Sequence, residues 1–102
     1  MFRIVGITLE GKRVVGGVFP ALDRHGLPLL IIVERLQDAN CLLDWTDLFL
    51  SALQAGWNPS TMLARIEETL LDVYGRTYCN AVLTRLAHCV AQSPAPFFAQ
   101  QE

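Results

Sequence analysis

Charge is scarce in this 102-residue chain: Asp, Glu, Lys and Arg together make up 18% of it, below the roughly 25% of an average soluble domain. What charge there is leans acidic, with a formal net charge of −2 at neutral pH and a pI near 5.6. That balance speaks against nucleic acid, whose backbone rewards a basic face. Long apolar runs are lacking as well. The longest, Leu27 to Val33, falls far short of the ~20 residues that a membrane-spanning helix needs. The start, MFRIVGITLEG, alternates and has no extended apolar segment of the kind a secretory signal carries. The three cysteines are an odd number and fit no secreted disulfide framework. These absences describe a cytoplasmic protein with no membrane partner.

The usual chemical signatures are missing too. No GxxxxGK[ST] is present, and no GxGxxG precedes a helix, so the Gly16-Gly17 pair is not a phosphate loop. Cys41, Cys79, Cys89, His25 and His88 are the possible soft ligands, but none forms a CxxC or an HxxxH. Cys79 and Cys89 lie nearly three helical turns apart, and the adjacent His88 and Cys89 diverge by about 100°. A zinc site would need unrelated elements to converge, whereas a free cysteine commonly packs as a small core residue. A cysteine nucleophile paired with His25 has no local support, and no Ser-His-Asp grouping has supporting context. The acids Glu34, Asp38, Asp44 and Asp47 cluster where two could act as a carboxylate pair. Acids before and within a first helical turn also satisfy orphan amides and the helix dipole, which explains them without catalysis. No catalytic residue, metal or cofactor is assigned, and the chain is read as a non-enzyme.

What the chain has in abundance is apolar side chain. The hydrophobic fraction is 52% and the mean hydropathy is +0.33. A domain this small has a large surface for its volume and cannot conceal so much alone. The surplus is expected to cover a second copy, a different partner or a ligand, with a closed homo-oligomer the plainest of the three.

The pattern along the chain predicts an α+β fold. Residues 2–9 alternate, with Phe2, Ile4, Ile7 and Leu9 against Arg3, Gly6 and Thr8, and Val5 breaks the pattern; this is a half-buried strand. A turn at Glu10-Gly11 leads to a second, valine-rich strand from Arg13 to Phe19, in which the paired glycines suggest a bulge or a close backbone approach. After a loop from Pro20 to Gly26, the run from Leu27 to Leu36 reads as a third strand buried on both faces. Three helices are then predicted. The first covers about Cys41 to Ala55 with an apolar stripe of Trp45, Leu48, Phe49, Ala52 and Leu53, capped by Asn40 or Asp44 and ended by Gly56. The second starts at Asn58-Pro59 and faces Met62, Leu63, Ile66, Leu70 and Val73 inward before Gly75. The third runs from about Thr77 to Gln92 and stops at Pro94. The expected architecture is a three-stranded antiparallel meander followed by three helices packed on one face. Residues 1–93 form a single domain, and residues 94–102 a loose tail.

The stretch ALQAGWNPSTMLARI, residues 52–66, admits an alternative function. Ala52 and Gly56 sit where a helix-turn-helix places its small residue and its turn glycine, and Thr61 and Arg65 could face a groove. Against this, Ser51 and Arg65 fall where such motifs bury something apolar, and Glu67, Glu68 and Asp72 would repel phosphates. Two packed helices joined by a Gly/Asn-Pro turn need only common capping rules.

Three quoted pieces also carry a likeness to a known family. GLPLLIIV (Gly26 to Val33), LFLSALQAGWNPSTMLARIEETL (Leu48 to Leu70) and YGRTYCNAVLTRLAHCV (Tyr74 to Val90) occur in an order that resembles the small domain attached to, or encoded beside, some adenosylcobalamin-dependent ribonucleotide reductases, which is named for a Thr-Ser-Cys-Pro-Asp motif. In that family the first piece is a Gly-x-Pro strand, the second a helix, turn and helix, and the third a final helix. The motif string itself is absent here, so its role transfers to no residue. The resemblance implies a fold, a cytosolic setting and an accessory role without catalysis.

The sequence thus points to a small accessory or interaction domain that acts through an apolar surface as a homodimer. Leu30, Ile32, Trp57 and Phe98 are the expected partner-binding residues. Trp57 is chosen because a large aromatic in a turn has few core neighbours and suits an anchor; a hydrophobic lid over the helix junction is the competing role.

Overall fold

The computed structural model describes residues 3–92. The elements in order are β1 (Arg3–Ile7), β2 (Arg13–Gly16), α1 (Phe19–Asp23), α2 (Leu29–Asp38), β3 (Cys41–Leu43), α3 (Trp45–Gln54), α4 (Pro59–Val73) and α5 (Arg76–Gln92). The fold is α+β, as the pattern implies, with a single three-stranded sheet in the order β1-β2-β3. It is not an antiparallel meander. β1 pairs antiparallel with β2, but β3 pairs parallel with β2, matching Arg13 with Cys41 and Val15 with Leu43. Parallel neighbours need a crossover of a dozen or more residues, and α1 and α2 supply it.

The predicted third strand is therefore a helix. Leu27–Leu36 was open to either period because the run is almost continuously apolar. Leu29, Ile32, Val33 and Leu36 are the buried residues of α2, and their i, i+3, i+4, i+7 spacing is that of one helical stripe. Burial of this stripe overrides the strand preference of Ile31, Ile32 and Val33. Pro28 stands at the N-cap, and the Ile32 amide donates to its carbonyl at 3.2 Å. The helix ends at Ala39, followed by Asn40 with φ +59°. Asparagine tolerates this left-handed backbone, so Asn40 stops α2 and does not start α3.

The first predicted helix is correspondingly shorter. Cys41–Leu43 leave it to form β3, and Asp44 is the N-cap of α3, its side chain accepting from the Asp47 amide at 3.1 Å. The short helix α1 occupies what the sequence suggested was a strand end and a loop. The expected stripe of α3 holds: Trp45, Leu48, Phe49, Ala52 and Leu53 are all buried. At its end the Gly56 amide donates to Leu53 and the Trp57 amide to Ala52, the paired bonds of a Schellman close. Gly56 has φ +92°, which glycine adopts without a Cβ penalty.

Asn58 caps α4 as predicted, accepting from the Thr61 amide at 3.1 Å, with Pro59 at the first helical position. Gly75, also at φ +92°, turns the chain into α5. One core cluster joins the elements: Val15 and Leu43 from the sheet, Val18 and Phe19, the α2 and α3 stripes, Met62, Ile66 and Leu70 of α4, and Cys79, Val82 and Leu86 of α5. Among the described residues no helix is long and apolar enough to cross a membrane.

Candidate functional site

The apolar surface that this core leaves uncovered lies on the β1–β2 hairpin. All five residues of β1 are exposed. Ile4, Val5 and Ile7 retain 57%, 46% and 69% of their surface, and Leu9 in the following turn is fully exposed. The sequence placed Ile4, Ile7 and Leu9 on the buried side of a half-buried strand; in the folded chain they are outside.

The register explains the arrangement. Ile4 pairs with Val15 and Ile7 with Arg13, with a shift between Ile4 and Gly6 that leaves Val5 as the extra residue. Cross-strand partners share a face, and one extra residue reverses the alternation beyond it. Ile4 and Ile7, three apart, therefore lie on the same face as the buried Val15 and its β3 partner Leu43. Val5 points the other way, toward Gly16, where an added Cβ would come within 3.1 Å of Val5 Cγ1 and 3.5 Å of Asp47 Oδ2. Apolar groups thus stand on both faces of the edge strand. The sequence expectation at the paired glycines is a bulge or a close backbone approach; the register shift lies in the partner strand, between Ile4 and Gly6, and Gly17 has φ +71°.

The hairpin is held at both ends. At its tip the Thr8 amide donates to the Lys12 carbonyl at 2.8 Å and the Lys12 amide to Thr8 Oγ1 at 3.1 Å, with Gly11 at φ +85°. At its base the Gly17 amide donates to Asp47 Oδ2 at 2.9 Å, and Arg3 lies 3.8 Å from Asp47 Oδ1. The Thr8–Lys12 bond also fixes the edge. It flanks Ile7–Arg13, which makes that a non-hydrogen-bonded pair, so the Ile7 N–H and C=O face away from β2 toward the open side of the sheet.

A second feature lies where α1, the α3–α4 turn and α4 meet. The Phe19 and Trp57 rings meet edge-on, with centroids 5.3 Å apart and planes at 72°. The Arg65 guanidinium sits 5.3 Å above the Trp57 ring, a cation–π arrangement. Arg65 also borders an open cleft of about 420 Å³ lined by Leu22, Leu27, Leu30, Glu68 and Thr69 among others. Trp57 is half-buried and packs on the core cluster, so it covers the helix junction while keeping part of its surface outside.

The residues singled out in the sequence are dispersed. Leu30 is half-buried on α2 and lines the cleft. Ile32 is 3% exposed and belongs to the core, because the segment is a helix and not a strand with a free face. Phe98 lies outside the described residues. Thr61 and Arg65 are both exposed on α4. Of the junction acids, Asp44 caps α3 and Asp47 binds Gly17, while Glu34 and Asp38 are exposed on α2. Cys79 is buried and its thiol donates to the Glu67 carbonyl at 3.9 Å; burial pushes that thiol up, Glu67 adds to the rise and Arg76 opposes it. Cys41 and Cys89 are half-buried. Among the described residues no three His, Cys, Asp or Glu side chains gather as a metal group.

Ile4, Val5, Ile7 and Leu9 are the surface residues that the sequence reading missed. The signal that could have found them is Val5, whose break in the alternation puts apolar residues on both sides of one strand. No protein-family model matches the chain, and neither a curated protein nor a solved structure matches it.

Proposed function

We propose that this chain is a small interaction domain without catalysis of its own, and that it self-associates through the apolar hairpin. One observation carries the reading: a five-residue edge strand, exposed throughout, holds three of the most exposed large apolar side chains, with Leu9 beside them. Scattered single apolar residues on a surface need no explanation, but a contiguous group marks an interaction site. An unpaired strand edge is in addition a template for pairing with another chain. The apolar surplus of the composition points the same way.

Light scattering across protein concentration tests the proposal. The mass should rise from one chain toward two between about 1 and about 200 µM. A constant single-chain mass over that range overturns self-association. Ile4→Lys, which keeps the strand but places a charge on the apolar face, should shift the transition to higher concentration.

A further inference from the structure

We infer that the cleft beside Arg65 binds a free apolar α-amino acid, with its carboxylate on Arg65, its ammonium on Glu68 and its side chain against Leu22, Leu27 and Leu30. The site is independent of the self-association above, since none of the residues lining it belongs to β1 or β2.

Three features of the lining point to this class of ligand. The first is an unsatisfied cation. Arg65 is exposed, and its guanidinium lies over the Trp57 ring, 5.3 Å from the centroid. An aromatic face attracts the cation but supplies no acceptor atom. The guanidinium N–H donors therefore have no hydrogen-bond or ion-pair partner among the described residues. A carboxylate matches such a fork with two parallel bonds.

The second feature is a pair of acceptors beside that cation. Glu68 follows Arg65 by three positions on α4, which makes the two neighbours on the helix surface, yet they form no ion pair with each other. Thr69 is buried and donates its hydroxyl to the Arg65 carbonyl at 3.0 Å. Its one O–H is thereby used, and the oxygen can only accept. Glu68 and Thr69 both line the cleft and offer acceptors alone, as an ammonium group requires.

The third feature is the apolar wall. Leu22 comes from α1, Leu27 from the loop before α2, and Leu30 from α2 itself. Leu27 keeps 38% of its surface in the open cleft, area that an apolar side chain would cover. The volume of about 420 Å³ lies toward the small end of the roughly 300–1,000 Å³ of small-molecule pockets.

Charge complementarity decides among ligands. A simple anion meets repulsion from Glu68 and a simple cation from Arg65. A peptide terminus brings only one of the two charges. An α-amino acid carries both on one carbon, so it satisfies Arg65 and Glu68 together and leaves its side chain for the leucines.

Titration of the full chain with L-leucine, followed by proton–nitrogen correlation spectra, tests the assignment. Amides around residues 26–30 and 65–69, and the Trp57 indole, should shift and saturate at about 0.1–10 mM. The Trp45 indole, 1% exposed, should stay in place. Isocaproate is leucine without its ammonium, and isopentylamine is leucine without its carboxylate; each should bind about tenfold more weakly or worse. Arg65→Gln and Glu68→Gln, both at exposed positions, should each lower leucine affinity about tenfold or more, and Glu68→Gln should bring isocaproate level with leucine. Ile4→Lys should bind leucine as the parent does, so this site stands or falls apart from self-association. If leucine at about 20 mM gives no saturable shift, or if isocaproate or isopentylamine binds the parent as tightly as leucine, the assignment is overturned. If either α4 variant fails to fold, the three-ligand comparison on the parent decides.

Discussion

Removing the Asp47 carboxylate should loosen the hairpin from the rest of the molecule. Asp47 sits in the first turn of α3 and accepts from the Gly17 amide at 2.9 Å, in partly buried surroundings. In Asp47→Ala that amide loses its acceptor, which costs about 1–3 kcal/mol. The contact with Arg3 adds little: it spans 3.8 Å and the Arg3 side chain is 65% exposed, so it contributes under about 1 kcal/mol. The lost negative charge at the start of a helix contributes a further 0.3–1 kcal/mol or so. The cap itself survives, because there Asp47 donates through its backbone to Asp44. The total is about 2–4 kcal/mol, a large part of the 5–15 kcal/mol that typically separates a folded domain from its unfolded chain, and Tm should drop by roughly 10–20 °C. Urea unfolding of the parent, Asp47→Ala, Asp47→Asn and Arg3→Ala at one protein concentration is the assay. Asp47→Asn keeps an oxygen for Gly17 and should lose about 1 kcal/mol or less, and Arg3→Ala a similar amount. If Asp47→Ala lies within about 0.5 kcal/mol of the parent, the clamp holds nothing. If Asp47→Asn falls as far as Asp47→Ala, charge and not the hydrogen bond is the cause.

Three further predictions concern the core and the cysteines. Ile32→Ala should destabilise by about 2–4 kcal/mol while Ile31→Ala, at a half-buried position, should cost about half as much; equal costs would contradict the helical stripe of α2. Cys79 is a fully buried thiol raised above its ordinary value of 9.0 by burial, then by Glu67, with Arg76 opposing. The folded state therefore favours the neutral thiol, and the stability this provides is intact below about pH 9 and declines as pH rises through the folded value. Tyr74, raised by burial and by Tyr78, adds to the decline above its ordinary 10.0. Unfolding measured between about pH 8 and pH 10.5 should show the slope, and it should be shallower in Cys79→Ala. A thiol reagent at neutral pH should modify Cys41 well before Cys79; equal rates would refute the burial argument.

How much of this was legible depends on whether the deciding interaction is local. Asn58-Pro59, Gly56 and Gly75 act on their own neighbours, and the start of α4 and the ends of α3 and α4 follow from them directly. Leu29 to Leu36 is different, because an apolar run fits either period until it is known what lies against it. The 3.6-residue stripe was present there but was masked by Leu30 and Ile31, which are half-buried. β3 is three residues long and takes its place from pairing with β2, which no window around Cys41 contains. The candidate site shows the same divide. Composition announces that apolar surface is left over, but tertiary packing decides where it is left, and Ile4 and Ile7 are among the residues left exposed.

The parallel ladder also sets an order in time. β1 with β2, and α4 with α5, can meet as soon as their short turns form. β2 and β3 are separated by residues 17–40, so their pairing carries the larger closure entropy and waits on α1 and α2. On the ribosome the first hairpin emerges with neither of its outer strands flanked, and it stays so until residue 43 has been made and placed. Until then the outer edge of β2 is open to a wrong strand neighbour, and the docking of β3 closes it.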